Sequence, residues 1–127
     1  PDDWRNIDSP GKVEVWLRLR QSESEIFSVS INDGKDIVGL LIVYGYERGK
    51  TDQSIRIGYV ISEIFWGRGL ATELIEALVS KLAEVGCISS VIGGVVPSNI
   101  GSVKVLTKNG FHLLESVNGT EFYQRKF

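Results

Sequence analysis

Residues 55–85 decide the fold, and they read IRIGYVISEIFWGRGLATELIEALVSKLAEV. The first seven residues alternate, which predicts a strand whose one face consists of Ile55, Ile57, Tyr59 and Ile61. A glycine turn, Trp66–Ala71, follows this strand. From about Leu70 the apolar residues recur at helical spacing, on a face made of Leu70, Ala71, Leu74, Ile75, Leu78 and Leu82. Gly86 predicts the end of this helix.

A glycine pair that opens a helix has a physical use. Gly67 and Gly69 carry no Cβ, so the backbone of the turn can approach a ligand closely. The first N–H groups of a helix have no internal partner and lie at the positive end of its dipole. The turn is therefore expected to bind phosphate.

Three phosphate-binding motifs could account for this turn. A fourth alternative is a tight turn that binds no ligand and needs its glycines only for backbone shape. A Walker A loop requires a lysine that this segment lacks. A dinucleotide fingerprint requires a third glycine where Thr72 stands, and an acid in the next strand, Ile88–Val96, which has none. The turn also resembles the pyrophosphate loop of acetyl-CoA-dependent N-acetyltransferases, [QR]-x-x-G-x-[GA]. Gly69 and Ala71 match that pattern, whereas Trp66 replaces its Gln or Arg.

Length, charge and cysteine content limit the possible classes. The chain has 127 residues, enough for a single domain, and a net charge of −2 gives no footprint for nucleic acid. Its one cysteine, Cys87, cannot form an internal disulfide, so we expect a cytoplasmic protein and a small buried thiol. No apolar run is long enough to indicate a membrane span, and no membrane partner is expected. The start at Pro1 and the lack of methionine favour an N-terminal truncation.

The first half of the chain is less regular in pattern. Pro1–Ile7 predicts an irregular lead-in, with Trp4 packed against the domain, and Ser9-Pro10 is typical of a helix start. Val13–Arg20 fits a strand by alternation and also carries a helical stripe. A hairpin is predicted next, formed by the strands Ile26–Ile31 and Asp36–Tyr46 around the turn 32–35, with the second strand buried on both faces.

The second half predicts a further strand, a helix and a hairpin. Ile88–Val96 is apolar throughout and predicts a buried central strand. A helix is expected over Asn99–Asn109, ended by Gly110. Two strands then flank the turn Asn118-Gly119, and they are predicted over Phe111–Ser116 and Thr120–Phe127.

A second motif in this half identifies a family. Residues 99–111 read NIGSVKVLTKNGF and resemble the segment N-x-x-S-x-x-[VL]-x-x-K-x-G-F of the GNAT superfamily of N-acetyltransferases. The stretch WGRGLATEL is most similar to the branch of ribosomal-protein N-terminal acetyltransferases. Two motifs in the right order, on the right elements, carry the resemblance over 55–111.

The resemblance implies an α/β (α+β) fold over a single domain, residues 1–127. Its mixed, mostly antiparallel sheet would be splayed between Ser54–Ile61 and Ile88–Val96. The family's first strand and first helix are not evident, in line with the expected truncation. Comparison with the family also favours a helix over Val13–Arg20.

The resemblance further implies that acetyl-CoA is the co-substrate, held in the splay without a metal. Backbone groups of Val60 and Ile61 would bond the pantetheine amides. The pyrophosphate would be bound by the turn, namely Trp66, Gly67, Arg68, Gly69, Leu70 and Ala71. Asn99 would bond the cofactor arm, although it could be only a helix cap. Ser102 would lie near the thioester sulfur and donate to the leaving thiolate, with Tyr59 as the next candidate for that acid.

Two positions depart from the family's pattern. Leu106 stands where many relatives carry a tyrosine acid, and Arg56 stands where many carry a glutamate base. Arginine cannot act as a base at neutral pH. Glu63 and Glu73 are alternative bases, although Glu73 also suits the first turn of a helix. The lone histidine, His112, is expected on a strand face.

The expected function is transfer of acetyl from acetyl-CoA to a primary amine by direct attack. The acceptor would be a protein or peptide N-terminus or a small amine, and the protein a monomer or homodimer. Without an obvious base, an α-amine with a pKa of about 8 suits the site better than a lysine of about 10.4. The alternatives are a non-catalytic acyl-CoA-binding or regulatory domain and a nucleotide-binding module.

Overall fold

A computed structural model describes residues 6–8, 13–20 and 24–127 of the chain. In these residues a single sheet is built from eight strands, accompanied by two α-helices and a short 3₁₀ helix at Glu63–Phe65. The strands are β1 (Asn6–Asp8), β2 (Glu14–Arg20), β3 (Ser24–Ile31), β4 (Asp36–Tyr44), β5 (Gln53–Ile61), β6 (Ile88–Val95), β7 (His112–Val117) and β8 (Thr120–Lys126). The helices are α1 (Leu70–Val85) and α2 (Ile100–Lys108).

The sheet is mixed and mostly antiparallel. Its strand order is β1-β2-β3-β4-β5-β6-β8-β7, and only β5 and β6 are parallel neighbours. That parallel pair follows from the connection, because α1 carries the chain from the end of β5 back to the start of β6. The predicted fold class is therefore confirmed.

The core lies on the face of the sheet that α1 covers. The apolar stripe of α1 is buried through Leu70, Leu74, Ile75, Ala77, Leu78 and Leu82. It contacts β5 and β6, whose inward residues Ile55, Ile57 and Val91 are fully buried. Gly86 ends α1 in the left-handed region, at φ 78°, as the sequence predicted. α2 packs beside α1 and places Leu106 in the same core.

The two parallel strands separate before their C-terminal ends. Pairing between β5 and β6 begins at Gln53 and Ile88 and ends at Ile57 and Gly93. Beyond this point β5 continues to Ile61 beside β4, whereas β6 continues to Val95 beside β8. The predicted splay is therefore present, and it opens toward the ends of both strands.

The predicted helix over Val13–Arg20 and the predicted burial of β4 on both faces were wrong. Residues 14–20 form a strand, not a helix, because β3 offers a free edge with which β2 pairs from Glu14↔Ser30 to Arg20↔Glu25. The inward alternation of Val13 and Val15, both buried, fits the strand. β4 is buried on one face only, and Tyr44 on the other face is 38% exposed.

The remaining boundaries agree within a residue or two, and the β3–β4 and β7–β8 hairpin turns lie where predicted. His112 lies exposed on β7, as expected. Cys87 was expected to be buried, but its side chain is only half-buried and lies beside Gln53. The prediction of an irregular lead-in was wrong for Asn6 and Ile7, because both belong to β1 and pair with β2. Trp4 and Ser9-Pro10 fall outside the described residues. Among the described residues, no helix has the length and apolarity needed to cross a membrane.

Candidate functional site

A cleft of about 570 Å³ lies where β5 and β6 part. It is bounded by the end of β5, by the glycine turn with the start of α1, and by the start of α2. Its lining comprises Tyr59, Val60, Ile61, Phe65, Trp66, Gly67, Gly69, Leu70, Ala71, Thr72, Ser98, Asn99, Ile100, Gly101, Ser102 and Val105. The structure thus brings together every residue predicted to bind the cofactor or to donate the proton, except Arg68.

The glycine turn presents open backbone to this cleft. Gly67 and Gly69 have φ values of 80° and 74°, in the left-handed region that favours glycine. A Cβ built on either residue would meet no atom within 4 Å. The first N–H groups of any helix lack an intrahelical partner. Gly69, the N-cap of α1, has no side chain that could accept from them, so they stay available to a ligand. This end of the cleft is therefore a ready anion site.

Trp66 and Arg68 take different positions around the turn. The indole Nε1–H of Trp66 donates to the carbonyl oxygen of Ile61 at 2.7 Å, which ties the turn to the end of β5. The Arg68 guanidinium lies 5.3 Å from the centre of the Phe65 ring, outside the cleft lining. Trp66 thus closes the loop by a hydrogen bond at the position where the family pattern has Gln or Arg.

The free backbone edge of β5 can be assigned from its pairing with β4. The N–H of Ser62 donates to the carbonyl oxygen of Val38 at 2.7 Å, so Ser62 faces β4. Backbone groups alternate along a strand, so those of Val60 also face β4, and those of Tyr59 and Ile61 face the splay. In agreement, a Cβ built on Gly39 in β4 would clash with the Val60 carbonyl. Val60 therefore turns its backbone groups toward β4, and its exposed side chain lies on the same face of β5 as Arg56.

Two hydroxyl groups meet where β5 leaves β6. The Tyr59 hydroxyl is buried and has no hydrogen-bond partner among the described residues. Burial raises the pKa of Tyr59 above its usual value of 10.0, and the nearby Ser102 hydroxyl offsets this only in part. Buried hydroxyls in proteins are normally hydrogen-bonded, so the Tyr59 hydroxyl is available to a group that binds in the cleft.

Asn99 is the N-cap of α2. Its Oδ1 accepts a hydrogen bond from the backbone N–H of Ser102 at 3.1 Å. The cap interpretation of Asn99 is therefore confirmed, and the residue also lines the cleft. Leu106, one helical turn after Ser102, is fully buried in the core and is not part of the cleft lining.

The described residues that line the cleft include no charged side chain. The carboxylate of Glu73 accepts a hydrogen bond from the N–H of Val13 at 2.9 Å, away from the cleft. Glu63 is exposed on the 3₁₀ helix. Arg56, which replaces the usual base, points to the face of β5 opposite to that of Tyr59. Neither alternative base is therefore brought to the two hydroxyls. No cluster of three metal-binding side chains occurs within the described part of the chain either.

Several lining residues were missed by the sequence analysis. Thr72, in the first turn of α1, and Ser98, just before the cap of α2, add polar groups to the cleft. Phe65, Ile100 and Val105 add apolar walls. The positions of Thr72 and Ser98 beside two helix starts were a usable signal, whereas the walls depend on how α2 packs against α1.

Comparisons with known proteins show the family of the chain and its fold. A family model described as an acetyltransferase (GNAT) domain matches residues 3–112. The probable N-acetyltransferase YjcK of Bacillus subtilis is 28% identical over 113 residues, which are 87% of this chain and 62% of that protein. The chain thus spans less than two thirds of the length of this relative.

Solved structures share the fold. The ribosomal alpha-N-protein acetyltransferase RimL, in complex with coenzyme A, superposes with a TM-score of 0.77 at 16% identity, over 95% of this chain and 97% of RimL. The N-acetyltransferase PseH of Campylobacter jejuni, in complex with acetyl coenzyme A, gives a TM-score of 0.68 at 17% identity, over 84% of this chain and 70% of PseH. At such identities the likeness shows the fold alone.

Proposed function

Because the chain belongs to the GNAT family of acetyltransferases, we propose that it transfers the acetyl group of acetyl-CoA to a primary amine by direct attack. The observation that carries the proposal is the cleft between β5 and β6. It joins an anion site at the start of α1 to a buried hydroxyl without a partner at Tyr59. An acyl-CoA has the matching polarity, with a charged pyrophosphate at a distance from a neutral thioester.

The residues of the cleft fit this co-substrate. The N–H groups of the turn and of the first turn of α1 would bind the pyrophosphate, because the space above Gly67 and Gly69 is open. The backbone of Tyr59 and the N–H of Ile61 would pair with the pantetheine amides, since both face the splay. The Ile61 carbonyl is engaged by Trp66 and is less available. The Nδ2 group of Asn99 would reach the same arm while Oδ1 caps α2.

Acetyl-CoA supplies an activated acetyl group, and the protein supplies position and proton donors. Ser102 lies on the first turn of α2 and would donate a hydrogen bond to the sulfur as negative charge develops there. Tyr59 keeps its proton at neutral pH, because burial raises its pKa, and can donate to the same centre. Holding the amine and the thioester together contributes further by proximity.

The acceptor must supply its own neutral amine, because no described carboxylate or imidazole lines the cleft. An α-amine with a pKa of about 8 is partly neutral at pH 7.5, whereas a lysine of about 10.4 is neutral in about one molecule in a thousand. The favoured acceptor is therefore an α-amine, either of a peptide or protein N-terminus or of a small molecule.

Thiol release from acetyl-CoA, measured with a panel of peptides and small amines, tests the proposal. Amine-dependent release, with the mass of one acetyl group added to the amine, is the expected result. Binding of acetyl-CoA without turnover of any amine would favour the second candidate, a non-catalytic acyl-CoA-binding domain. Arg56 and Leu106, which replace the usual base and acid, motivate that candidate. Displacement of the ligand by NAD or ATP as readily as by CoA would instead indicate a nucleotide-binding module.

A further inference from the structure

The sheet face turned away from the helices carries a cation, Arg56, beside the splay. Along β5 the buried Ile55 and Ile57 face the helices, so Arg56 faces the opposite side. In the same way Gly93 faces α2, where a Cβ would meet Leu106 at 3.4 Å, and Gly94 faces away. We call this side of β4, β5, β6 and β8 the open face, because Tyr44 and Val60, which share it with Arg56, are exposed.

Phe122 of β8 holds the guanidinium of Arg56 at the mouth of the splay. Phe122 pairs with Gly94, and a Cβ on Gly94 would lie 3.0 Å from the Phe122 ring, so the ring rests on the bare backbone of β6. The guanidinium carbon of Arg56 lies 5.6 Å from the centre of that ring. Arg56 itself pairs with Ile92, two residues before Gly94. Its side chain therefore leans along the strand to the level at which β5 and β6 separate.

Arg56 is exposed, and no carboxylate within the described residues forms an ion pair with it. The stack on Phe122 orients the guanidinium and leaves its N–H donors available. A single guanidinium matches the charge and the two oxygens of a carboxylate. Phosphate sites gather several cationic or backbone donors, whereas Lys126, on the same face, lies at the far end of β8 opposite Ser90.

The open face is also the side from which an acceptor can approach. Under the proposed function, acetyl-CoA occupies the cleft on the helix side, against Ser102 and the start of α1. The amine must then reach the thioester through the gap beyond Gly58 and Gly94, where the strands no longer pair. It passes the Arg56 guanidinium on the way.

We infer that Arg56, stacked on Phe122, selects acceptors by binding a carboxylate that lies close to the reacting amine. This inference rests on the proposed function and specifies its substrate class as amines that carry a carboxylate. Two sources present this chemistry, namely the α-carboxylate of a free amino acid and an acidic side chain next to a peptide N-terminus. Arg56 would act on specificity and not on the chemical step.

Matched acceptor pairs test the inference. One arm compares alanine with alaninamide, and the other compares short peptides with glutamate or glutamine at the second position. In each arm kcat/KM is measured for wild type, Arg56→Gln and Arg48→Gln. Arg48→Gln removes the same charge from an exposed loop at the other end of β5 and serves as the control. Taking the ratio of variant to wild type cancels differences in amine pKa within a pair.

Arg56→Gln should lower kcat/KM for the carboxylate member of one pair by about tenfold or more, the scale of a charge-assisted hydrogen bond, and leave its neutral partner within about twofold. The pair that responds identifies the source. Arg48→Gln should change neither member, and the KM for acetyl-CoA should stay constant throughout. An equal loss of kcat/KM for both members of a pair, or no loss in either arm, would overturn the carboxylate role of Arg56. Amine turnover by wild type would still support the proposed function in that case. Absence of turnover with every amine would overturn both.

Discussion

At the scale of single residues, the two hydroxyls of the cleft differ in their surroundings. Ser102 lies in the first turn of α2, and its backbone N–H donates to the Asn99 cap, so the cap does not use its hydroxyl. Tyr59 extends from β5, and its hydroxyl is buried without a partner. Their neighbourhood suits a thioester, which offers weak acceptors in the ground state and a charged one as it reacts.

Ser102→Ala should lower kcat by roughly ten- to a thousand-fold, the range for loss of one catalytic donor. The dissociation constant for acetyl-CoA should change little, because the hydrogen bond strengthens mainly as the sulfur becomes charged. Turnover and a directly measured dissociation constant are compared in the same preparation. Ser80→Ala, on the exposed side of α1, is the matched control and should behave as wild type. Full activity in Ser102→Ala would eliminate its role as the acid and leave Tyr59.

Tyr59→Phe should slow transfer without destabilising the protein. The substitution removes a buried hydroxyl that has no partner, so the free energy of unfolding should stay constant or rise. Because burial raises the pKa of Tyr59, the phenol is protonated at every pH below about 10, and the loss of rate should be the same across the neutral range.

Thermal unfolding and kcat at several pH values check this prediction. Tyr123→Phe is the control, since the Tyr123 hydroxyl lies near Glu121 and outside the cleft. It should leave kcat unchanged. A Tyr59→Phe protein that is clearly less stable, or as active as wild type, would show that the hydroxyl has a structural role or none.

At the scale of elements, two helix starts converge on one strand end. α1 begins at the glycine turn and α2 begins at Asn99, and both contribute their first turns to the cleft. α1 is a long helix with a buried stripe, whereas α2 is short and depends more on its cap. The same residue, Asn99, therefore serves the helix and faces the ligand.

Asn99→Ala should cost about 1 kcal/mol of stability through loss of the α2 cap. Asn99→Ser keeps a capping oxygen but removes the amide Nδ2, so its stability should be close to that of wild type. If Nδ2 bonds the cofactor arm, both variants should raise the KM for acetyl-CoA. Denaturant unfolding and initial rates on the two variants separate the effects. An unchanged KM in Asn99→Ser would reduce Asn99 to a cap alone.

The elements that carry the site were predictable because their patterns are local. β5 alternates, α1 repeats at helical spacing, and glycine marks both ends of α1, so sequence alone located the turn within a residue. β2 was not predictable in this way, since Val13–Arg20 fits either period and only the edge of β3 decides. The direction of the Val60 backbone likewise depends on pairing with β4, which no local pattern reveals.

At the scale of the whole molecule, helices and cleft lie on one side of the sheet and the open face on the other. The order of elements and the family motifs predicted the sheet and its splay. They did not predict that β4 would be exposed on one side. They also did not predict that the Phe122 ring would pack on Gly94 and stack against the Arg56 guanidinium. Both features arise from packing between strands distant in sequence. The same limit applied to the candidate bases, because only the fold shows that Glu73 bonds Val13.

The central claim is that the cleft between β5 and β6 holds acetyl-CoA by its glycine turn. Calorimetric titration of wild type and Gly69→Asp with acetyl-CoA tests it most directly. Asp tolerates the left-handed backbone of Gly69 better than most residues and would meet no atom there, so the variant should fold. Its carboxylate would lie beside the pyrophosphate and repel it. Gly49→Asp, at φ 82° in an open loop away from the cleft, controls for strain and charge. Saturable binding to wild type and Gly49→Asp, with none to a folded Gly69→Asp, is the predicted result, and equal affinity in all three would contradict the claim.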